Sequence, residues 1–360
     1  MTDEKVLDLR ASLAGMTDAR QAWKVLHPLE NVLLMGFAAI LCGGESFEDM
    51  ERFAQGKEAF FAQHLDMANG APSHDTFRRV FEAIKTEELL GVLQRYGRVP
   101  AGGQVCLDGK ALRGGNVHIL NAYARENGLA LGQLAVDEKS NEITALPEMI
   151  RCLALKGAVV TLDAMGCQKS VAAQIINAGA DYVLALKANQ SLAHEEVKAY
   201  FEDALRRGEL AAHEEFDKGH GRVERRRCWH SEHIAWFAEL KRWTGLRSVV
   251  MVEGERHTGE VLKVERRYYL SSLPLDPARM ARLVRGHWSI ENSLHWVMDV
   301  TFGEDRNRTR LRRAAQNLAL LRRLAFNLCK LDTLKDSVKG KKFRAACSDA
   351  YLAKLLNLHA

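Results

Sequence analysis

The sequence predicts an α/β protein in which a mixed sheet carries helices on its faces, with a helical N-terminal domain before it and a small β-rich insertion within it. Three observations predict this. Residues 1–98 carry only helical patterns. From Gly102, three strand-like segments follow one another and then alternate with amphipathic helices, in the order β-β-β-α-β-α-β-α. Residues 213–273 then alternate again and are rich in β-branched side chains before helix resumes. The boundaries that follow are 1–98 for the N-terminal helical domain and 99–212 for the first part of the core. The insertion is 213–273, the helical completion of the core 274–330, and a basic C-terminal tail 331–360.

Each element has a local reason. HPLENVLLMGFAAILCGG reads as one helix stopped by a glycine pair. SFEDMERFAQGKEAFFAQHL follows, with Ser46 as N-cap and Glu48 and Asp49 in the first turn. GAPSHDTFRRVFEAI uses Ser73 in the same way, so three or four short helices are expected. QVCLDGKAL, VHILNAYAREN and LALGQLAV are the three consecutive strands, ITALPEMIRCLALKG an amphipathic helix, and AVVTLDAMG a buried strand. QKSVAAQIINAG is a helix ended by Gly179, DYVLALK a strand, and SLAHEEVKAYFEDALRRG a helix. In the insertion, RVERRRCWH, RSVVMVEGERH and EVLKVERRYYLSSL read as strands. LDPARMARLVRGHWSIENSLHWVMD is the last long helix of the core, opened by Asp276 or Pro277.

Composition narrows the function. The 360 residues carry a net charge of +5 and seven scattered cysteines without a C-x-x-C pair, which speaks against a zinc ribbon or a disulfide framework. The longest apolar run, residues 32–42, is too short to span a bilayer, and the first ten residues lack the apolar centre of a signal peptide. A cytoplasmic protein without a membrane partner is expected. Residues 301–360 hold 14 Lys and Arg against five Asp and Glu. Basic charge gathered in one segment suits a polyanion and equally suits a solvated helix face.

Three carboxylates stand out. Asp108 ends the first predicted strand and Asp163 the fourth, each after an apolar run and before a small residue, 55 residues apart. Alone, each reads as a turn or capping aspartate. In matched contexts, on central parallel strands, they would converge at the open end of the sheet, where α/β folds hold ligands. The third is Glu291, midway between His287-Trp288 and His295-Trp296. On an uninterrupted α-helix, Leu283, Ile290, Leu294 and Val297 form the buried stripe. His287 then lies at its edge, Glu291 further round, His295 further still, and Asp299 in solvent. The two histidines stand about 12 Å apart along the axis, too far to share one zinc ion readily, and second-shell or cap roles suit them better. Trp288 and Trp296 fall on different faces and read as packing residues. Three carboxylates without soft ligands suit Mg²⁺ or Mn²⁺, and two such ions can drive in-line attack on a phosphodiester.

These residues carry a resemblance. LDGKALRGG, TLDAMGCQKSVAAQIINAGADYVLALKANQ, HGRVERR, RYYLSSL and RGHWSIENSLHWVMDVTFGEDRNR resemble the DDE transposases of the H-repeat-associated, ISAs-type insertion-sequence family. The leading DARQAWKVLHPL, CGGESFEDMERF and NGAPSHDTFRRVF are similar to that family's own start, and the likeness runs from about residue 15 to 330. It implies a ribonuclease-H-like core with Asp108, Asp163 and Glu291 as catalytic, metal-binding triad for two Mg²⁺ or Mn²⁺ ions, and residues 1–98 as a candidate reader of DNA ends. It implies double-stranded DNA as partner, cleavage at terminal inverted repeats, transfer of 3′ ends, and a homodimer in the synaptic complex. Lys110 and Arg113, Lys187, Asn189 and Gln190, Arg222 and Arg225 to Arg227, and Arg306, Arg308, Arg310, Arg312 and Arg313 are the candidate DNA contacts. The related Y-x2-R-x3-E-x6-K signature is not met, because Val284, His287 and Met298 stand at its other positions. Arg285 and His287 are candidates to take over phosphate contacts. Ala19 stands where the family's leading motif has proline. A binding-only remnant of a transposase, or a structure-specific nuclease on the same core, are the alternatives.

Overall fold

The computed structural model describes residues 9–97, 99–112, 117–136, 142–219, 222–258 and 261–358. Six helices open the described chain: α1 (Leu9–Ala14), α2 (Leu29–Leu41), α3 (Phe47–Gly56), α4 (Glu58–Phe61), α5 (His74–Ala83) and α6 (Thr86–Tyr96). They exceed the expected three or four because the second predicted helix breaks at Lys57 and a further one follows Lys85. Ser46 caps α3 in a reciprocal box with Asp49, and Ser73 caps α5 through the Thr76 amide.

The sheet has nine strands: β1 (Gln104–Leu112), β2 (Val117–Ala124), β3 (Leu129–Val136), β4 (Val159–Leu162), β5 (Asp181–Leu186), β6 (His213–Gly219), β7 (Arg222–Ser231), β8 (Ser248–Thr258) and β9 (Val261–Ser271). Their spatial order is β3-β2-β1-β4-β5-β9-β8-β7-β6. β4 runs parallel to β1 and β5 parallel to β4, while the other neighbours are antiparallel. The segment 213–273 therefore extends the same sheet, entering it where β9 pairs with β5. It contributes four strands, not the three legible in the sequence. β6, HEEFDKG, has few β-branched or apolar residues, and its charge suits an edge strand that must not pair further.

Successive side chains of a strand face opposite ways. Val105 and Leu107 of β1, with Val160 and Leu162 of β4, pack in a core with α7 (Glu142–Cys152), α8 (Lys169–Asn177) and α9 (Ser191–Arg206). On the other face, Val159 and Val183 meet Met280, Leu283 and Val284 of α10 (Pro277–His287). Asp276 is the cap of α10, accepting from the Arg279 amide, and Pro277 is its first residue. Cys106 and Tyr123, on this second face, join a core formed with α2, α5, α6 and α12 (Arg312–Leu331). α12 is buried nearly all round, so the N-terminal helices share their core with the sheet through it.

Residues 331–360, read from sequence as a basic tail, carry α13 (Val338–Cys347) and α14 (Asp349–Leu356), whose Ala345, Leu352 and Leu356 are buried in that same core. The basic surplus of residues 301–360 is partly internal: Arg322, Arg323, Lys341 and Lys342 are buried. No helix among the described residues is long and apolar enough to cross a membrane.

Candidate active site

The register of the two central strands builds the site. Leu107 of β1 pairs with Leu162 of parallel β4, so Asp108 and Asp163 are the next residues on adjacent strands, with backbones roughly 5 Å apart. Alternation turns both to the α10 face, because Cys106 and Thr161 already face it. The Cys106 thiol donates to the Gly286 carbonyl, and Thr161 Oγ1 lies 3.1 Å from His287 Nδ1. Asp163 Oδ1 also accepts from the Met165 and Gly166 amides at 3.0 and 3.3 Å, so the turn-aspartate reading holds for it as well.

Glu291 comes from the segment after α10. The sequence reading of one uninterrupted α-helix is corrected here. The chain forms a π-helical turn over Glu291–His295 and resumes as α11 (Trp296–Val300). A π turn inserts one residue and delays every later side chain by one position, and such turns cluster at functional sites. Met298 therefore takes the fully buried place expected for Val297, which is only partly buried. His295 is buried, not out towards solvent. Asp299 is not free in solvent either: the Lys110 ammonium contacts it and also reaches Glu304 at 2.9 Å.

The carboxylates repel one another. Burial, and then the charges of Asp163, Glu142 and Glu291, push the Asp108 carboxyl up to about 7. Glu142, at the start of α7, is a fourth acid that the sequence reading missed. Its Oε1 lies 2.7 Å from His118 Nε2, and burial raises its carboxyl. This pair lies so close to β1 that a Cβ on Gly109 would meet Glu142 Oε1 at 1.8 Å, which explains glycine after Asp108. Burial pulls His287 down to about 4, against the charge of Asp163, and burial with Arg323 and Lys110 pulls His295 to about 3. Both imidazoles are neutral at physiological pH.

Oxygen donors that repel one another are suited to a hard divalent cation, which would cancel the repulsion. By donor chemistry the three acids fit Mg²⁺ or Mn²⁺. They have not converged, since among the described residues no three His, Cys, Asp or Glu side chains stand close enough to hold an ion. Glu291 is exposed and lines a cleft of about 830 Å³ with Arg225, Arg227, Arg267 and Arg285.

The remaining sequence candidates divide. Asn189 Nδ2 donates to the Ala164 carbonyl at 2.6 Å and Gln190 Nε2 to that of Cys167 at 3.1 Å, so both brace the turn that carries Asp163. Lys187 is exposed and lines a second cavity, of about 330 Å³, with Asp163, His287 and Trp288. His287 is held against Thr161 beneath the pair of aspartates. Lys110 is half-buried, its ammonium held by Asp299 and Glu304. Arg225 pairs with Glu214 at 2.7 Å, Arg226 contacts Glu224, and Arg227 contacts Glu253 and Glu255. Arg285 pairs with Asp217 at 2.6 Å. Arg306 contacts Glu45, Arg312 donates to the Val136 carbonyl, and Arg308, Arg310 and Arg313 are exposed. Arg113 and the side chain of Arg222 lie outside the described residues.

Comparison with known proteins gives the class first. The profile described as "Transposase DDE domain" matches residues 100–328, and that described as "DDE_Tnp_1-associated" matches residues 10–96. The "H repeat-associated putative transposase YhhI" of Escherichia coli K12 is 34% identical, covering 97% of this chain and 97% of its own. The "Putative transposase YncI" of Escherichia coli O157:H7 is 33% identical over 99% of this chain and 95% of its own. A piggyBac transposase synaptic complex with hairpin DNA overlaps 97% of this chain and 78% of its own at 9% identity and a TM-score of 0.42, which defines no shared fold. The chain belongs to the DDE transposase family, among its H repeat-associated members.

Proposed function

We propose that this chain is an insertion-sequence transposase that cuts DNA at terminal inverted repeats and joins the 3′ ends to a target through Asp108, Asp163 and Glu291. The observation that carries the reading is the pair of aspartates at matching positions on adjacent parallel strands, with Asp108 driven up to about 7 by burial and by neighbouring acids. Carboxylates left in mutual repulsion inside a fold are a mark of a site completed by a ligand. The strand order β3-β2-β1-β4-β5 supports a ribonuclease-H-like core within the larger sheet.

Two Mg²⁺ or Mn²⁺ ions, when bound, would activate the attacking oxygen and stabilise the leaving one. Asp108 and Asp163 would hold them from the strand ends. Glu291 would complete the set from the π turn, its carboxylate coming in from the cleft edge. Arg225, Arg267 and Arg285 on that cleft would take DNA phosphates, exchanging acidic partners for the backbone. The N-terminal helices are the candidate reader of the ends, and two copies would hold two ends together.

The test uses labelled DNA carrying the gene's own flanks, purified full-length protein and Mg²⁺, with wild type and Glu291→Gln side by side. Nicks at the repeat boundaries from wild type alone are expected. End protection without nicks from either protein would replace the reading with a binding-only role, and cutting of branched DNA alone would replace it with a structure-specific nuclease.

A further inference from the structure

A chain of buried polar side chains runs from α12 to Asp108. Arg323, fully buried, donates from Nη1 to Glu304 Oε1 at 2.7 Å and from Nε to Asn121 Oδ1 at 2.7 Å. Asn121, on β2 directly opposite Asp108, is also fully buried and has its Nδ2 3.2 Å from His295 Nε2. His295 Nδ1 then lies 3.6 Å from Asp108 Oδ2. The direction of every donor in this chain is forced. A guanidinium has no acceptor, so Asn121 must turn its oxygen to Arg323 and its amide nitrogen to His295. His295 Nε2 must then accept, and the single proton of the neutral ring sits on Nδ1, facing Asp108.

We propose that His295 is a positioning residue for the first acid of the site, its Nδ1–H held towards Asp108 by the buried Arg323–Asn121 relay. The proposal rests on the reading of Asp108 as a metal-holding carboxylate. At 3.6 Å the contact is longer than a hydrogen bond. The N–H therefore acts as a dipole that favours one orientation of the Asp108 carboxylate without neutralising it. A cation there would compete with the incoming metal, whereas a neutral N–H steadies one oxygen and leaves the other to the ion. Outer partners of ligating carboxylates act in this way. His287 has no comparable lock. Its partner Thr161 carries a hydroxyl that can donate or accept, and that hydroxyl also receives Gln104 Nε2 at 3.0 Å. The π turn explains how His295 reaches this place, since an unbroken helix would carry it towards solvent.

Two measurements on the full-length protein test the proposal. The first is nitrogen-15 NMR of the histidine rings without metal, assigned with His295→Gln as the blank. A protonated Nδ1 and a bare Nε2 are expected, and the opposite tautomer overturns the relay. The second is calorimetric Mn²⁺ binding by His295→Asn and His295→Gln, with thermal melting to verify folding. An asparagine amide places an N–H close to the Nδ1 position, whereas a glutamine amide reaches the Nε2 position. His295→Asn is expected within a few-fold of wild type, and His295→Gln weaker by about 10- to 100-fold. Equal affinities for the two variants would overturn the positioning role. If either variant does not fold, Asn121→Leu takes its place, and loss of the single tautomer with weakened Mn²⁺ binding is expected; an unchanged tautomer overturns the relay. Wild-type protein that binds no Mn²⁺ overturns the metal-site reading and the role with it, whichever tautomer NMR reports.

Discussion

The two halves of the nine-stranded sheet treat charge in opposite ways. On the β1–β5 half, Asp108, Asp163, Glu142 and Glu291 repel one another, and the Asp108 carboxyl rises to about 7. On the β6–β9 half, charges of opposite sign meet across strands: Arg225 with Glu214 at 2.7 Å, Arg256 with Glu224 at 2.8 Å, and Arg266 with Glu253 at 2.7 Å. One hydrogen-bonded scaffold supports both. Cross-strand pairing of opposite charges stabilises a sheet and like charges destabilise it. The unbalanced half therefore retains a cost that a bound cation would remove. The balanced half can stand in solvent, and under the proposed function it would exchange its acids for DNA phosphates.

Removing an acid from the unbalanced half is the strongest way to break this contrast. Asp108→Asn, Asp163→Asn and Glu291→Gln should each lower DNA cleavage by about a thousandfold or more, several kcal/mol in the barrier, while gel-shift assays show ends still bound. Cleavage by any of them at the wild-type rate removes that residue from the triad. Stability supplies the next test. Burial would raise the Glu304 carboxyl, yet Arg323 and Lys110 hold it far below the usual range. Arg323→Ala strips that buried acid of its main partner and should cost about 3–5 kcal/mol in urea unfolding. Arg285→Ala, which breaks a pair half-exposed on both sides, should cost at most about 1 kcal/mol. Similar losses from both would end the distinction between internal and surface pairs.

The pH dependence sharpens the comparison further. Asp108 binds its proton more tightly folded, at about 7, than unfolded, at about 4. Between those values the native state holds the extra proton, so this group's contribution to stability falls as pH rises from 4 to 7. Metal must displace the same proton. Mn²⁺ affinity should therefore rise by up to about tenfold per pH unit below 7 and level off above it, and Mn²⁺ should raise the melting temperature more at pH 8 than at pH 6. A flat affinity profile across 5.5–8 would contradict the crowded-acid picture. The smallest effect belongs to the balanced half. Arg225→Ala should reduce the salt dependence of DNA binding by about one phosphate contact, alike for all sequences. An unchanged slope would take Arg225 out of the interface.

Much of the fold follows from local chemistry. Ser46, Ser73 and Asp276 cap helices because their side chains accept amides left free in a first turn. The near-continuous apolar runs of β1, β4 and β5 mark strands covered by helices on both faces. β6 escaped because an edge strand needs little apolar surface, and the C-terminal helices because a stretch whose Lys341 and Lys342 are buried looks, in sequence, like a solvated basic run. Glu142 and His118 gave no local signal. Their approach to Asp108 depends on Gly109 leaving room for them, and a glycine in a strand says nothing about what fills its space.

Sequence alone marked the three acids as a candidate set, since matched strand ends and the H-x3-E-x3-H stretch depend on residue type and spacing over a few turns. Only the tertiary structure decided how they are placed. The parallel register of Leu107 with Leu162 brings together aspartates that lie 55 residues apart. The π turn decides which side chains after Glu291 face inward, and it sets His295 against Asp108 instead of water. Helical periodicity could not reveal it, because the turn's His295 meets Asn121 across 174 residues of chain, and Asn121 is itself held by Arg323 across 202.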